Sequence, residues 1–291
     1  MIFKCCQHIN KTHSFVFLRE ILSSEDSGNG KQQRPAANPR VMAENALAHV
    51  GHCIDQPNPR FEELSNKNGG GLVVPDPVYS TERNFTGAPI PGYNSAKIIM
   101  DRQIIENLRS ANQFLRKALE QQGIGSTEAS KFILIVKDGY RPHESATHAM
   151  GEFGRAHGIS GAYLSYSVSG HNSGKTVDLT LGYKDDGMIK EVWMGARYDE
   201  ALYTFVDKSL KSKGYKVEHS NSDNAGRAKP LQEDTRYSYN QKGYQVVAGL
   251  STLELRKILS AAMQKSGASP MNSEYWHFKY QAGGCYNQRI G

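Results

Sequence analysis

Cysteine is scarce in this sequence. Its 291 residues include four cysteines, and no two of them form a C-x-x-C pair. So few cysteines in so long a chain exclude a small scaffold held together by disulfides. They also argue against a zinc site made of thiolates, so a metal site has to use histidine, aspartate and glutamate side chains.

Long apolar runs are missing as well. No stretch approaches the roughly 20 apolar residues that a membrane-spanning helix needs, and the mean hydropathy is -0.58. The amino-terminal run FVFL at 15–18 is shorter than the apolar segment of about 7–15 residues in a secretory signal peptide. We therefore expect no membrane partner and a cytoplasmic location, with a periplasmic location as the alternative.

Blocks of like charge are also absent. The chain has 35 basic and 29 acidic residues, a formal net charge of +6 and a pI of about 9.0. Net positive charge can indicate a nucleic-acid partner, but here basic residues are scattered among acidic ones and no five like charges follow one another. We expect no nucleic-acid partner; salt-sensitive affinity for DNA would indicate otherwise.

The first 71 residues differ in composition from the rest. They contain a polar stretch at 23–30 and end in a glycine-rich segment at 66–71. This composition predicts a partly ordered amino-terminal extension over 1–71. A second domain is predicted over 72–291, with an irregular insertion, rich in Gly, Asn, Tyr and Lys, at about 208–250.

Periodic patterns predict regular elements from residue 72 onwards. Apolar residues three and four apart predict a helix over 97–122. The continuous apolar run at 132–136 predicts a strand buried on both faces. Strict alternation at 176–181 predicts a strand with one apolar and one polar face.

Local signals predict three further helices and a last strand. Pro142 suits the first turn of one helix, Asp199 the amino-terminal cap of a second, and Ser251 with Glu254 the capping box of a third. A final strand is expected at 275–280. Because helices and strands mix without regular β-α-β alternation, the sequence predicts an α+β fold.

A histidine and an aspartate lie close to the start of the alternating strand. His171 is in a polar turn bounded by glycines, and Asp178 is on the polar face of the strand. An imidazole nitrogen and a carboxylate oxygen are both good zinc ligands. Taken alone, the pair fits a loop histidine and a solvent-facing aspartate at least as well.

Glu274 and His277 extend this set. His277 can be a third ligand, which leaves a position open for water, and Glu274 can deprotonate that water. Residues three apart on a regular strand face opposite sides, so both can reach one metal only if Glu274 lies at the strand entry or at a bulge. The alternative is an exposed glutamate and a half-buried histidine at a strand end.

Arg141 lies where the buried strand gives way to a helix, in the motif DGYRP at 138–142. Loop positions on a rigid scaffold often carry functional residues. A guanidinium at such a position can stabilise the oxyanion that forms when water attacks a carbonyl. The alternative is an arginine that pairs with a surface carboxylate.

Together these motifs resemble the zinc D-alanyl-D-alanine dipeptidases of the vancomycin-resistance type, within the zinc D,D-peptidases. That family has the pattern S-x-H-x-x-G, then an aspartate, then E-x-x-H near the end. The matching positions are Ser169, His171, Gly174, Asp178, Glu274 and His277, together with GYRP at 139–142. Shorter matches lie at 79–81, 84–87, 92–93, 194–195 and 198–199. The resemblance covers about residues 72–205 and 252–280.

The resemblance implies a small, mainly antiparallel central sheet flanked by helices, the zinc D,D-peptidase or hedgehog-like fold. It also implies hydrolysis of the small dipeptide D-Ala-D-Ala to two D-alanines, with one zinc ion per chain. The implied roles are His171, Asp178 and His277 as zinc ligands, Glu274 as general base and later proton donor, Arg141 as the oxyanion-stabilising group, Ser169 as the contact for the substrate carboxylate, and Asp199 and Tyr79 as the contacts for the substrate ammonium.

Several alternatives remain open at this point. Asp199 fits a helix cap as well as a substrate contact, and Tyr79 fits a packing aromatic. Tyr275 stands where the family usually has a tryptophan. A D,D-carboxypeptidase or peptidoglycan-cleaving relative, or a non-catalytic zinc-bearing binding module, would share most of these residues.

Overall fold

The computed structural model describes residues 58–93, 95–161, 163–213, 244–245, 247, 249–280 and 286. The strands in these ranges are β1 (Phe61–Glu63), β2 (Val73–Pro75), β3 (Ile99–Asp101), β4 (Phe132–Asp138), β5 (Thr176–Asp185), β6 (Met188–Val192), β7 (Tyr244–Gln245), β8 (Ser269–Met271) and β9 (Glu274–Lys279). The α-helices there are α1 (Arg102–Gln121), α2 (Ser126–Ala129), α3 (His148–Ala156), α4 (Glu200–Ser212) and α5 (Thr252–Lys265).

The central sheet is mainly antiparallel, as predicted. Its strands follow the order β2-β4-β5-β6-β7, with β9 paired to β5 and β8 paired to β9. The pairs β2–β4 and β6–β7 are parallel, and the other pairs of this sheet are antiparallel. β5 is long enough to pair with β9 through its first residues and with β6 through its last. The α+β fold with helices flanking the sheet is confirmed.

The larger apolar core lies between α1, α5 and one face of the sheet. Its sheet residues alternate with those of the opposite face, as strand geometry requires. Prominent members are Leu108 and Leu115 from α1, Leu259 and Met263 from α5, and Leu134, Val136, Val177, Leu179 and Leu181 from the sheet. A second cluster is rich in aromatic side chains, among them Tyr79, Tyr93, Tyr140, Tyr198 and Trp276.

The predicted helix over 97–122 is confirmed from Arg102 onwards, but its predicted start was wrong. β3 takes up Ile99–Asp101 and pairs with β1, so these residues are extended. Asp101 then caps α1, since its Oδ1 accepts a hydrogen bond from the backbone N of Gln103 at 3.0 Å. Strand pairing therefore outweighs the local helical periodicity at these three residues.

The segments on either side of the DGYRP motif differ in how well they were predicted. The buried strand at 132–136 is confirmed and continues to Asp138, with all its residues buried. Pro142 lies just before a π-helical turn, His143–Thr147, that leads into α3, so its predicted place in the first turn was wrong. The capping box is confirmed: Ser251 Oγ accepts from the backbone N of Glu254 at 3.2 Å.

Residues 58–71 of the predicted extension pack on the second domain. β1 pairs with β3, and the backbone N of Leu64 donates to Ile98 O at 2.8 Å. The Leu64 side chain is 1% exposed in the larger core. Residues 1–57 of that extension, and 214–243 of the predicted insertion, lie outside the described residues. None of the described helices has the length and apolar character needed to cross a bilayer.

We predict that Leu64→Ala lowers the free energy of unfolding by about 2–4 kcal/mol, because truncating a buried leucine leaves a cavity in a close-packed core. The measurement is denaturant unfolding followed by circular dichroism. Glu63→Ala is the control, since its side chain is 49% exposed and a change within about 0.5 kcal/mol is expected. Equal, small effects would mean that this segment contributes nothing to the stability of the domain.

Candidate active site

Three adjacent strands bring acidic and imidazole side chains into one row. In the sheet register Asp178 of β5 lies opposite His277 of β9 on one side and opposite Asp138 of β4 on the other. An irregularity in β4 between Val136 and Asp138 shifts the register there by one residue. Because opposite residues in a sheet are close neighbours, the pairing itself assembles this row.

His171 joins the row from a short 3-10 turn, Gly170–Ser173. Ser169 Oγ accepts from the backbone N of His171 at 3.3 Å, and Gly174 closes the turn with a φ of 67°. The imidazole Nδ1 is 2.7 Å from Gly139 O. With Nδ1–H donating to that carbonyl, the lone pair of Nε2 is free to bind a metal.

One oxygen of Asp178 lies between the two imidazoles. Its Oδ1 is 3.4 Å from His171 Nε2 and 3.0 Å from His277 Nδ1. Burial alone would raise the pKa of Asp178, but the two imidazoles outweigh it and hold this pKa below its ordinary value. Among the described residues, Oδ1 is buried with no hydrogen-bond partner.

This arrangement fits a metal ion. His171, Asp178 and His277 each offer one ligand atom, and these three atoms lie within 4.8 Å of one another. No other group of His, Cys, Asp and Glu side chains among the described residues meets this condition. Two imidazoles and a carboxylate are a ligand set that zinc accepts. A bound cation would also satisfy the buried Asp178 oxygen, which otherwise costs free energy.

Glu274 lies at the entry to β9, beside this cluster. Pro270 is opposite Phe278 while Met271 is opposite Glu274, so β9 carries extra residues between the two pairings. This bulge lets Glu274 and His277 share one site: Glu274 Oε2 is 3.7 Å from His277 Nδ1. Burial, together with the charge of Asp178, raises the pKa of Glu274 to about 7, which suits a group that exchanges protons near neutral pH.

Arg141 is buried and held by Asp138. Its Nε and Nη2 lie 3.1 and 2.7 Å from Asp138 Oδ2, and its guanidinium is 5.5 Å from the ring centroid of Tyr79. The surface ion pair considered as an alternative is therefore wrong. Because the planar guanidinium is restrained by two hydrogen bonds, its remaining donors have a fixed direction.

Asp138 also lies in the site, although no sequence pattern assigned it a role. It is fully buried. Its Oδ1 accepts from Tyr93 OH at 2.7 Å and from Gly139 N at 2.9 Å, and its Oδ2 is 3.4 Å from His171 Nδ1. The available signal was a carboxylate directly after a fully buried strand, which requires a charged or hydrogen-bonding partner.

Asp199 precedes α4, and its backbone O accepts from Leu202 N at 2.8 Å. Its carboxylate Oδ2 accepts from Tyr79 OH at 2.6 Å, so Tyr79 is more than a packing aromatic. Burial raises the pKa of Asp199 well above its ordinary value, and the charges of Asp178 and Glu274 act in the same direction. A cation beside this carboxyl group would favour its charged form.

Tyr198 was missed as a site residue, although it is part of the matching pair at 198–199. Its hydroxyl lies 2.9 Å from Asp178 Oδ2 and 2.8 Å from Tyr79 OH. Ser169, by contrast, uses its hydroxyl in the turn that carries His171. Its predicted contact with a substrate carboxylate stays a prediction.

Comparison with known proteins shows which family the chain belongs to. A model of the peptidase family M15, described as D-ala-D-ala dipeptidase, matches residues 73–291. The match spans most of the chain, so the chain belongs to this family. The resemblance and the metallopeptidase class predicted from the motifs are confirmed.

Individual relatives point the same way. The chain is 28% identical over 221 residues to a D-alanyl-D-alanine dipeptidase of Enterococcus faecalis, covering 70% of this chain and 84% of the relative. It is 27% identical over 178 residues to a protein of the same name from Enterococcus faecium, covering 56% and 78%. A third relative with this name, from Streptomyces coelicolor, is 30% identical over 141 residues, covering 43% and 62%.

We predict that Asp138→Asn lowers the free energy of unfolding by about 3 kcal/mol, because it leaves the buried Arg141 without its paired charge. The affinity for a divalent metal should fall by roughly 10-fold, because the ring of His171 loses a restraint on its orientation. Chemical denaturation and chelator competition measure the two effects.

Asp185→Asn is the control for this prediction. Asp185 makes an exposed ion pair with Lys190 at 2.8 Å, so neither quantity should change. If Asp138→Asn behaved like this control, the charge of Arg141 would have to be balanced by another carboxylate of the site.

Proposed function

We propose that this protein hydrolyses D-Ala-D-Ala to two molecules of D-alanine, with one zinc ion per chain held by His171, Asp178 and His277 and with Glu274 as general base. The observation that carries the proposal is the buried Asp178 oxygen between two imidazoles, 3.0 and 3.4 Å away. It occurs in a chain of the D-Ala-D-Ala dipeptidase family. His171, Asp178 and His277 would hold the ion with three protein ligands, the number found in catalytic zinc sites.

Glu274 moves the proton in this proposal. When bound, zinc would make a coordinated water more acidic and polarise the scissile carbonyl. Glu274 accepts a proton from the attacking water, whose oxygen forms a bond to the carbonyl carbon. It then returns this proton to the amine as the C–N bond breaks. Its pKa of about 7 without a metal favours both directions of transfer.

Arg141 stabilises the negative charge that develops on the carbonyl oxygen. Its anchoring by Asp138 means that its other donors need little reorganisation during the reaction. Preorganised donors of this kind are usually the largest electrostatic contribution to acyl-transfer catalysis.

The two ends of the dipeptide contact different side chains of the site. Asp199 and Tyr79 accept the ammonium group, which would offset the cost of charging the buried Asp199 carboxyl group. Ser169 contacts the substrate carboxylate. A small, closed cavity would exclude longer peptides, because their buried backbone groups would lack hydrogen-bond partners.

We predict that the purified protein releases D-alanine from D-Ala-D-Ala, that a chelator stops the reaction, and that zinc restores it. L-Ala-L-Ala and a pentapeptide ending in D-Ala-D-Ala are the comparison substrates, and amino-acid analysis is the measurement. Preference for the pentapeptide would indicate a D,D-carboxypeptidase or a peptidoglycan-cleaving enzyme. Zinc binding without hydrolysis of any of these would indicate a non-catalytic binding module.

We also predict that Glu274→Gln abolishes turnover, with kcat lower by at least about 100-fold, while zinc remains bound. An amide of the same size cannot accept the proton of water. The measurements are kcat and the metal content by atomic absorption. Glu106→Gln is the control, since Glu106 is exposed and pairs with Arg109 on α1; full activity of Glu274→Gln would exclude the mechanism.

The cytoplasmic location and the absence of a nucleic-acid partner stay predictions from the sequence. The roles of Ser169, Asp199 and Tyr79 belong to the proposal in the same way. Substrate length is the property that separates the proposed dipeptidase from its nearest alternative.

A further inference from the structure

A chain of hydrogen bonds runs from the metal ligand Asp178 to Asp199. Asp178 Oδ2 is 2.9 Å from Tyr198 OH, Tyr198 OH is 2.8 Å from Tyr79 OH, and Tyr79 OH is 2.6 Å from Asp199 Oδ2. All four side chains are buried. In such surroundings hydrogen bonds are strong and polarise one another, so a change at one end affects the other.

The hydrogen bonds in this series of side chains depend on whether Asp199 carries a proton. It contains three oxygen–oxygen contacts, and the two tyrosine hydroxyls bring two protons to them. With a third proton on Asp199, every donor can point towards Asp178. When Asp199 instead accepts from Tyr79 as a carboxylate, Tyr198 has one proton to share between Tyr79 and Asp178.

At one end of this series of hydrogen bonds, Asp178 belongs to the proposed metal site. Tyr198 contacts Oδ2, while Oδ1 faces the two imidazoles. A hydrogen bond to the outer oxygen of a ligating carboxylate orients that carboxylate and tunes its strength as a ligand. The hydroxyl of Tyr198 therefore links the charge state of Asp199 to the strength of Asp178 as a metal ligand.

We propose that Tyr198 is a positioning residue that couples the Asp199 end of the site to the metal, so that what Asp199 binds changes how tightly the metal is held. Coupling of this kind is reciprocal: a metal ion would equally change the affinity of the Asp199 end for a cationic group. The inference rests on the metal site of the proposed function.

The test is a double-mutant cycle read out as the zinc dissociation constant, measured by competition with a chelating dye. Tyr198→Phe should raise this constant on the order of 10-fold, since Asp178 loses an outer hydrogen bond. Asp199→Asn should change the zinc dissociation constant about threefold or more when Tyr198 is present. In the Tyr198→Phe background, Asp199→Asn should leave this constant unchanged. A tyrosine that only fills space would give additive effects.

Tyr79→Phe interrupts the chain at a different link and keeps the contact between Tyr198 and Asp178. It should remove the effect of Asp199→Asn on the zinc dissociation constant. If circular dichroism shows that Tyr198→Phe does not fold, the same cycle can be measured with Tyr79→Phe and Asp199→Asn. Tyr203→Phe is the control, because the Tyr203 hydroxyl bonds Arg83 O at 3.2 Å, outside the chain.

The outcomes separate the two proposals. If Asp199→Asn has the same effect with and without the tyrosine hydroxyls, the coupling acts through space and the role of Tyr198 is overturned. If the wild-type protein binds no zinc, the proposed metal site itself fails. Binding that loses its dependence on Asp199 in both tyrosine variants supports the hydrogen-bonded chain.

Discussion

The buried carboxylate of Asp138 is the constraint on which the rest of the site depends. A charge with no exposure to solvent is tolerated only when it is paired and hydrogen-bonded. Here the compensation comes from the guanidinium of Arg141, the hydroxyl of Tyr93 and the amide of Gly139. Each of these partners is thereby fixed in place, and two of them belong to the loop that also accepts the hydrogen bond of His171.

The sheet contributes positions that no single segment could supply. β5 presents Asp178 between two neighbouring strands. An irregularity in β4 sets which residue faces Asp178 on that side, and an irregularity in the β8–β9 pairing brings Glu274 to the site. Without the shift in β4, Asp138 would not lie opposite Asp178. Without the bulge in β9, Glu274 and His277 would project to opposite faces.

The secondary-structure elements with local sequence signals could be predicted from the sequence. The buried strand, the capping box of α5 and most of α1 follow from periodicity and capping chemistry, and the motif spacing led to the family. Prediction from the sequence failed where long-range pairing decides, as at Ile99–Asp101, where β1 draws the residues into a strand. It also overlooked Asp138 and Tyr198, because their importance depends on partners distant in the sequence, such as Tyr93 and Tyr79.

Asp199 shows that the fold gives up some stability at this site. Two described residues other than glycine have a positive φ, Asp186 at 46° and Asp199 at 59°. Asp186 lies in the tight turn between β5 and β6, where hairpin geometry demands that conformation. Asp199 is the third residue of a turn in which Glu200 N donates to Arg197 O at 3.3 Å, and a glycine there would relax the backbone but discard the carboxylate. A sequence optimised for thermal resistance alone would have glycine at this position, so aspartate here gives up some backbone stability and keeps a carboxylate in the site.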